Sequence, residues 1–344
     1  MRIIIVDGFQ MRRFGKEKVA TSVKLVNGLT RGNHRVLMFS DRDVAALESW
    51  LGLRDLGRRR ANRRLIETCD NWRPDLIILG HCDIIKNATL REIRGLVPDV
   101  RIVYRNVDPP FDAENVKKVE HRRGFVDAIF MTTGGEWLRQ FATPGNPVAF
   151  IPNPTDPAVE YFDGSVKTSG AQPIDLIFCG VGNATDERVP VIGRLHEEFR
   201  EELAFHSYGM YGRPAIWGEA YDRVLSQTKM GLNLNRVEGH YLYSSARMSQ
   251  LMGNGLLTFI DRRGGYDRFF TDDHAVLFEG TDELLARIRH FKHDDAARMA
   301  VAAAGRAYYQ THFSGQRIGQ FMIETAFDLP HSADYVWADQ IFRA

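Results

Sequence analysis

The sequence has few of the features that mark several large classes of protein. Its three cysteines, Cys69, Cys82 and Cys179, lie too far apart for a metal site or a redox pair, and so sparse a count favours a reducing compartment. No apolar run reaches the roughly 18 residues that span a bilayer. The apolar start, MRIIIVDGF, is too short for a signal peptide. We therefore expect a soluble cytoplasmic protein.

A charge excess and a dinucleotide-binding fingerprint are also missing. The 344 residues include 45 basic and 44 acidic ones, and this balance gives no overall attraction to nucleic acid or to acidic partners. No Gly-x-Gly-x-x-Gly follows the first apolar strand, which argues against a nicotinamide-dependent dehydrogenase. With 44% hydrophobic residues, the composition is that of a globular protein long enough for two domains.

Short apolar runs alternate with amphipathic stretches in both halves of the chain. This alternation predicts two doubly wound parallel sheets. Proline and glycine are frequent in 152–173, which we interpret as a linker between an N-terminal domain, 1–151, and a C-terminal domain, 174–328. The predicted strands are 2–6, 34–39, 74–80, 100–104, 127–132 and 147–151 in the first half, and 174–179, 205–208, 230–234 and 256–260 in the second.

The second half is organised around the stretch Tyr241–Gly280. Ser244 and Ser245 are candidate N-caps of a helix that ends at Gly253, and a short buried strand follows. The start of such a helix attracts anions, because its first backbone N–H groups are unpaired and its dipole is positive there. Together with the two serines, Arg247 would add hydroxyls and a cation at that end.

This stretch resembles the nucleotide-sugar-binding segment of GT-B glycosyltransferases, and most closely the CgeB-like branch of the glycosyl transferases group 1. Gln250 stands where that family usually has a glutamate, and Leu242 stands where a second glutamate is usual. A glutamine can still hydrogen-bond to a sugar or ribose hydroxyl, but the charge is lost. The matching positions are Arg247, Gln250, Gly255, Phe269-Phe270, Asp273, Ala275–Phe278 and Glu283-Leu284.

The resemblance implies the GT-B fold: two Rossmann-like domains that face each other across a cleft, with the segment 330–344 crossing back to the first. It also implies transfer of a sugar from a nucleotide-sugar donor to a glycan or a lipid-linked glycan, without a metal ion or a cofactor. Glycine turns, basic residues and hydrogen-bonding side chains of the second half would hold the donor: Gly180, Gly182, Asn183, Arg188, Asn235, Arg236, Tyr243, Ser244, Ser245, Arg247 and Gln250.

Two alternatives to a transferase remain open. A GT-B scaffold could bind a nucleotide or a glycan without turnover, and Gln250 and Leu242 favour that interpretation. A sugar-nucleotide epimerase of the same architecture would need a set of carboxylates around the sugar, and Tyr241–Gly280 lacks such a set.

Two polar residues follow predicted strands of the first half. His81 follows 74–80 and Asp108 follows 100–104, and ligands of open α/β sheets gather at the carboxyl ends of strands. Either side chain could be the general base for an acceptor hydroxyl if the enzyme inverts the anomeric configuration. The alternatives are a structural histidine and an aspartate that caps its own turn.

Basic residues cluster twice in the first half. Arg12, Arg13 and Lys16 lie in the loop 8–18, where they could contact a phosphate or an acceptor, or only solvent. A later run, RDLGRRRANRR, could bind an anionic membrane surface and hold the protein at the inner face of the membrane, or could be a solvated helix face. No aromatic residues interleave with it, which argues against nucleic acid. Its arginines are Arg54, Arg58, Arg59, Arg60, Arg63 and Arg64.

Overall fold

The structure, a computed structural model, describes residues 1–13, 16, 21–182 and 185–344. It divides into two compact units, one made of 1–152 with 315–344 and the other of 153–314. Each unit contains its own sheet of mainly parallel strands, covered by helices. The prediction of two α/β sheets is therefore confirmed.

The first unit begins with six strands in the order that the apolar runs predict. Their bounds differ from the predicted ones by at most two residues. The elements are β1 (Arg2–Asp7), α1 (Thr21–Arg31), β2 (Arg35–Ser40), α2 (Asp41–Leu47), α3 (Arg54–Trp72), β3 (Leu76–Leu79), α4 (Asn87–Leu96), β4 (Arg101–Asn106), α5 (Ala113–Arg123), β5 (Ala128–Met131) and β6 (Val148–Phe150).

The second unit repeats the alternation of strand and helix. Its elements are β7 (Ile174–Cys179), α6 (Arg188–Glu198), β8 (Phe205–Tyr208), α7 (Glu219–Leu225), β9 (Thr228–Asn233), α8 (Arg247–Gly253), β10 (Leu257–Asp261), β11 (Val276–Phe278), α9 (Gly280–His293) and α10 (Asp295–His312). The chain then adds α11 (Gly315–Ala326) and β12 (Ile341–Phe342) to the first unit.

Both sheets have their central strands buried on two faces. The first has the order β12-β6-β5-β4-β3-β1-β2, with β12 antiparallel to β6 and the other neighbours parallel. The second has the order β11-β10-β9-β7-β8 and is parallel throughout. Helices on both faces explain why these strands read as continuous apolar runs: Ile3, Ile4 and Ile5 are all fully buried.

The helix α11 lies in the first unit, whereas the sequence placed 315–328 in the C-terminal domain. It packs on α1 with the backbones in direct contact, since a Cβ on Gly28 would lie 2.1 Å from the backbone carbon of Gly315. Residues 153–173, predicted as a linker, belong to the second unit, where the amide of Thr155 donates to the carbonyl of Phe313 at 3.0 Å. An amphipathic pattern shows that a helix has a buried face, but not which sheet it covers.

Two smaller features concern the helices. Residues Glu136–Phe141 form a 3-10 helix that starts after Gly135. Across the part of the chain that the structure describes, no helix combines the length and the apolarity needed to cross a bilayer.

Candidate active site

The predicted donor residues follow β7 and β9, two neighbouring strands of the second sheet. The strands β7, β9 and β10 end at Cys179, Asn233 and Asp261, and they lie side by side. Because parallel strands end at the same edge of a sheet, the loops after them meet there. This edge is the natural ligand-binding region of the second unit.

Arg247, the first residue of α8, is a buried cation at this edge. Its Nε donates to the carbonyl of Cys179 at 3.0 Å and its Nη1 to the carbonyl of Leu234 at 2.9 Å. Its guanidinium lies over the ring of Phe178, and it pairs with no carboxylate among the described residues. Burial, followed by repulsion from Arg188, lowers the pKa of Arg247 to about 10. A buried arginine without an anion is costly, so this position favours a negatively charged ligand.

Arg188 starts α6 and is held by a partner that sequence reasoning missed. Its Nε donates to Oδ1 of Asp186 at 2.7 Å and its Nη2 to Oδ2 at 2.5 Å, which is a bidentate pair. Burial alone would raise the pKa of Asp186, but the hydrogen bonds and the positive charge of Arg188 outweigh burial and lower this pKa. The charge of Arg188 is thus largely neutralised, and its Nη2 also donates to the carbonyl of Val181 at 3.0 Å, which fixes the loop that carries Gly180 and Gly182.

A cavity of about 350 Å³ opens beside this pair, lined by Val181, Gly182, Thr185, Asp186 and Arg236. Arg236 is exposed, so its cation is available to a ligand in the cavity. A Cβ on Gly182 would come within 2.3 Å of Cε of Met210 and 2.9 Å of Oδ2 of Asp186, so a larger residue here would have to displace the ends of these side chains. The volume lies within the range of small-molecule sites. Asn183, another predicted donor residue, lies outside the described residues.

The start of α8 differs from the predicted one. The helix has only seven residues, and Ala246 stands at its N-cap without a capping side chain. The hydroxyl of Ser244 is buried and donates to the carbonyl of Ser245, while Ser245 Oγ only weakly accepts from the amide of Arg247, at 3.4 Å. The expectation that either serine caps this helix is therefore wrong, and so short a helix supplies little dipole.

The loop between β9 and α8 is fixed by contacts with neighbouring loops. Asn235 donates through Nδ2 to the carbonyl of Tyr243 at 2.7 Å, and the amide of Leu242 donates to the carbonyl of Gly264 at 2.8 Å. Leu242 has φ +48°, an unusual conformation for a branched side chain, and is fully buried. The loop is thus folded back on the sheet, and Tyr243 is buried beside the arginines: burial raises its pKa, and Arg236, Arg188 and Arg247 oppose this.

In the first unit, His81 and Asp108 follow β3 and β4 and lie close together. His81 Nε2 is 3.8 Å from Asp108 Oδ1, and Lys118 Nζ is 3.5 Å from Asp108 Oδ2. Asn106 Oδ1 accepts from the amide of Asp108 at 3.2 Å, and Asn115 donates to the carbonyl of Asp108 at 2.9 Å. These bonds fix the turn, while both candidate base side chains stay partly exposed.

A buried ion pair supports the loop that carries His81. Asp7 Oδ2 lies 2.6 Å from Nη2 of Arg105, and Asp7 Oδ1 accepts from the amide of His81 at 3.1 Å. The pKa of Asp7 is lowered, because Arg105, Ser22 and other partners outweigh its burial. A Cβ on Gly80 would lie 1.9 Å from Asp7 Oδ2, so only glycine fits there. The sequence analysis did not predict this pair. Asp7 nevertheless stands at the carboxyl end of a strand, where ligands of open α/β sheets gather.

The two basic clusters of the first unit are exposed. Arg12 and Arg13 form a short 3-10 turn, and Arg12 Nη1 donates to the carbonyl of Gly52 at 3.2 Å. Lys16 is exposed, and most of the loop around it lies outside the described residues. The arginine run, 54–64, starts α3, and all six of its arginines are exposed.

Several solved structures share this fold over nearly the whole chain. HepE from Anabaena in complex with UDP-glucose is 14% identical with a TM-score of 0.57, covering 96% of this chain and 100% of that one. Sucrose-phosphate synthase from Thermosynechococcus elongatus is 13% identical with a TM-score of 0.57, covering 95% and 99%. AviGT4, a glycosyltransferase involved in avilamycin A biosynthesis, is 14% identical with a TM-score of 0.56, covering 100% of both. No curated protein sequence matches this chain.

At such identities the likeness shows the fold, which is GT-B. The family comes from the sequence itself: residues 177–324 match the family described as Glycosyl transferase-like. The chain therefore has the GT-B fold and matches a glycosyltransferase family over residues 177–324. The match contains every predicted donor residue from Gly180 to Gln250, and the predicted family, fold class and enzyme class are all confirmed.

Leu242 and Gln250 are the two residues of Tyr241–Gly280 that stand where the resemblance would place glutamates. Leu242 is buried against the core, so no polar group at that position reaches a ligand. Gln250 lies on α8, is partly exposed, and its side chain makes no hydrogen bond to the described part of the chain. The side-chain amide of Gln250 is therefore available to a hydroxyl-bearing ligand.

The glycosyltransferase also contains site residues that the sequence did not reveal. The ring of Phe178 lies under both Arg188 and Arg247, and Asp186 clamps Arg188. The one signal in the sequence for this ion pair was the position of Asp186, two residues before Arg188 at the predicted start of a helix. Among the described residues, no group of three or more His, Cys, Asp or Glu side chains is arranged to hold a metal ion.

Proposed function

We propose that this protein binds the nucleoside diphosphate of a nucleotide-sugar at the carboxyl edge of its second sheet and transfers the sugar to a glycan or a lipid-linked glycan. The observation that carries the proposal is Arg247: a buried cation, held by two carbonyls, with no carboxylate partner among the described residues. The complexes of HepE with UDP and with UDP-glucose make uridine diphosphate sugars the first donors to test.

The chemistry is stabilisation of a leaving group. When the bond between the anomeric carbon and the phosphate oxygen breaks, negative charge grows on the diphosphate. Arg247 and the exposed Arg236 would stabilise that charge, and fixed cations in a partly dry site act more strongly than cations in water. Arg188, already paired with Asp186, would instead keep the Gly180–Gly182 turn in shape. We propose that Arg247 and Arg236 stabilise the leaving diphosphate without a metal ion.

The acceptor side would be the first unit. If the enzyme inverts the anomeric centre, Asp108 or His81 would remove the proton from the acceptor hydroxyl as it attacks. The two side chains lie 3.8 Å apart, so one can bind the hydroxyl while the other holds the proton. If the enzyme retains configuration, neither is needed as a base. The basic residues Arg12, Arg13 and Lys16 would bind a phosphate on the acceptor.

The proposed setting is the cytoplasm, with peripheral contact at the inner face of the membrane. The support is the set of exposed arginines on α3. Such a surface suits an acceptor that is itself carried on a lipid.

The test is incubation of the purified protein with a panel of nucleotide-sugars, with and without EDTA, while release of nucleoside diphosphate is measured. We expect slow hydrolysis of one donor, at the same rate in EDTA. The variant Arg247→Gln should abolish most of it, whereas Arg200→Gln, at an exposed arginine of the same unit, should not. Binding without release across the panel would contradict a transferase, and loss of release in EDTA would contradict metal independence.

One observation favours a second candidate, a scaffold that binds without turnover. Neither Leu242, which is fully buried, nor Gln250 offers a carboxylate to the donor sugar. Tight binding of a nucleoside diphosphate together with zero release, even with candidate acceptors present, would favour the scaffold. Conversion of the donor into an isomer would instead identify an epimerase.

A further inference from the structure

The turn that joins α2 to α3 exposes a group of large apolar side chains. We name residues 47–56 the α2–α3 tip. Trp50 is 87% exposed and Leu47 72%, and three more leucines are over half exposed: Leu51, Leu53 and Leu56. Single exposed leucines are ordinary, but five large apolar side chains within ten residues form a patch of the kind that binds something.

Packing of the tip against its own unit does not account for these side chains. The buried residues of α3 are Gly57, Ala61, Asn62, Leu65 and Cys69, and none of them belongs to the tip. A Cβ on Gly57 would lie 1.7 Å from the carbonyl oxygen of Ala45, so α2 and α3 touch backbone to backbone. The leucines of the tip lie outside this close contact and remain exposed.

The surroundings of the tip are strongly cationic. Arg54 lies within it and five more arginines follow on α3, and the acidic residues within 47–64 are Glu48 and Asp55. Glu48 pairs with Arg64 and Asp55 with Arg58, whereas Arg59 has no ion pair among the described residues. The exposed basic turn of residues 11–13 adds to the same surface, since Arg12 donates to the carbonyl of Gly52 within the tip.

We infer that the α2–α3 tip docks into the headgroup region of an anionic lipid bilayer. Tryptophan prefers the membrane interface, leucines enter the acyl boundary, and arginines bind lipid phosphates, so each part of the tip has a matching part of the bilayer. A second copy of the chain fits less well, because it would bring two arginine clusters together. Nucleic acid would leave the leucines in water.

The inference deepens the proposal of a lipid-linked acceptor, but binding to vesicles requires no transfer reaction. The assay is cosedimentation with vesicles of phosphatidylcholine alone and of phosphatidylcholine mixed with phosphatidylglycerol. We expect binding to the mixed vesicles only, weakening as salt is added because headgroup charge is screened. Trp50 should also emit at shorter wavelength when bound, a shift that Trp50→Phe removes from the five-tryptophan spectrum.

Two double variants separate the apolar and the charged contributions. Trp50→Ser with Leu51→Ser removes apolar side chains, and Arg54→Gln with Arg59→Gln removes charge; each should lower partitioning into mixed vesicles about tenfold or more. The control is Val166→Ser with Arg200→Gln, which changes an exposed apolar residue and an exposed arginine of the second unit and should bind like the wild type. All of these residues are exposed, so the melting temperature should be unchanged and will show that each variant is folded.

The outcomes are distinct. No binding to mixed vesicles, or equal loss in the control and the tip variants, overturns the inference. A dimer in sedimentation velocity that Trp50→Ser abolishes would assign the tip to self-association and overturn the inference as well.

Donor hydrolysis in the absence of vesicles should be the same in Trp50→Ser and wild type. If vesicles bind but no donor is hydrolysed, the proposed function fails and the docking stands. If a donor is hydrolysed but vesicles do not bind, the docking fails and the proposed function stands.

Discussion

The guanidinium carbon of Arg247 lies 4.7 Å from the centre of the Phe178 ring. The same ring faces the guanidinium of Arg188 at 5.6 Å, so two cations share one aromatic surface. Cation–π attraction offsets part of their mutual repulsion, but within the described part of the chain only Arg188 has a carboxylate partner that neutralises its charge. A diphosphate bound at this edge would supply the missing charge for Arg247, and the first prediction rests on that imbalance.

Replacement of Arg247 by alanine should weaken nucleoside diphosphate binding by about 1.5–3 kcal/mol, which is the worth of a charge-assisted hydrogen bond. It should also lower the melting temperature of the free protein, because the carbonyls of Cys179 and Leu234 lose their donors. Titration calorimetry and thermal unfolding measure the two effects. Arg200→Ala is the control, and an affinity equal to that of wild type for every nucleotide tested would move the donor site elsewhere.

Gly180→Ala should disturb the site without removing a charge. The new Cβ would lie 2.9 Å from Nη1 of Arg188 and 2.9 Å from Cζ of the fully buried Phe178, and neither can move freely. We expect a loss of about 1–3 kcal/mol in the free energy of unfolding, as in other overpacked sites, together with weaker nucleotide binding. Gly170→Ala, which meets no atom within 4 Å, should change neither quantity. Unchanged nucleotide affinity in Gly180→Ala would exclude this turn from the donor site.

Asp108→Asn tests the proposed base. If the enzyme inverts, the amide cannot take the proton of the acceptor hydroxyl, and turnover should fall about 100-fold or more with little change in donor affinity. Asp83→Asn is a matched control, since Asp83 follows β3 in the same unit but is paired with Arg42 at 2.9 Å. Steady-state rates and donor titrations distinguish the two variants. Equal turnover in Asp108→Asn and wild type would remove Asp108 as the base.

A pH effect should come from Asp41, at the start of α2. Burial, helped by nearby Asp83, raises the pKa of Asp41 to about 7, although the amides of Ile84 and Arg42 donate to it. The folded state therefore prefers the protonated acid. Its contribution to stability is complete below about pH 4, the ordinary pKa, and is lost as pH rises through 7.

Asp41→Asn should remove that dependence. Measured by urea unfolding, the free energy of unfolding of the variant relative to wild type should rise by about 2–4 kcal/mol between pH 4 and pH 8. Asp267→Asn, at an exposed carboxylate, gives the reference slope. Parallel curves for Asp41→Asn and wild type would show that Asp41 ionises normally in the folded protein.

The sequence predicted the strands well because their pattern is a local property. Residues 2–6 and 174–179 are apolar with little interruption, which a strand buried on both faces requires. The position of α11 depends instead on the close contact between Gly28 and Gly315, which are separated by most of the chain. Such a contact leaves no trace in a window of neighbouring residues.

The same reasoning applies to the site. The glycine turn and Arg247 could be found from spacing and resemblance, and the family match supports the stretch that contains them. The failed N-cap shows the limit: the loop before α8 is set by bonds from Leu242 and Asn235 to other loops, so the helix starts after both serines. Trp50 was also missed, because exposure depends on how α2 and α3 pack.

The return of the chain to its first unit has a consequence for biosynthesis. A ribosome releases residues in order, so residues 153–314 can fold as one uninterrupted piece once they have emerged. The first unit cannot: until the residues after Ser314 are made, β6 is an unpaired sheet edge and the groove of α1 at Gly28 is empty. The half of the protein that is synthesised first is therefore the half that finishes folding last.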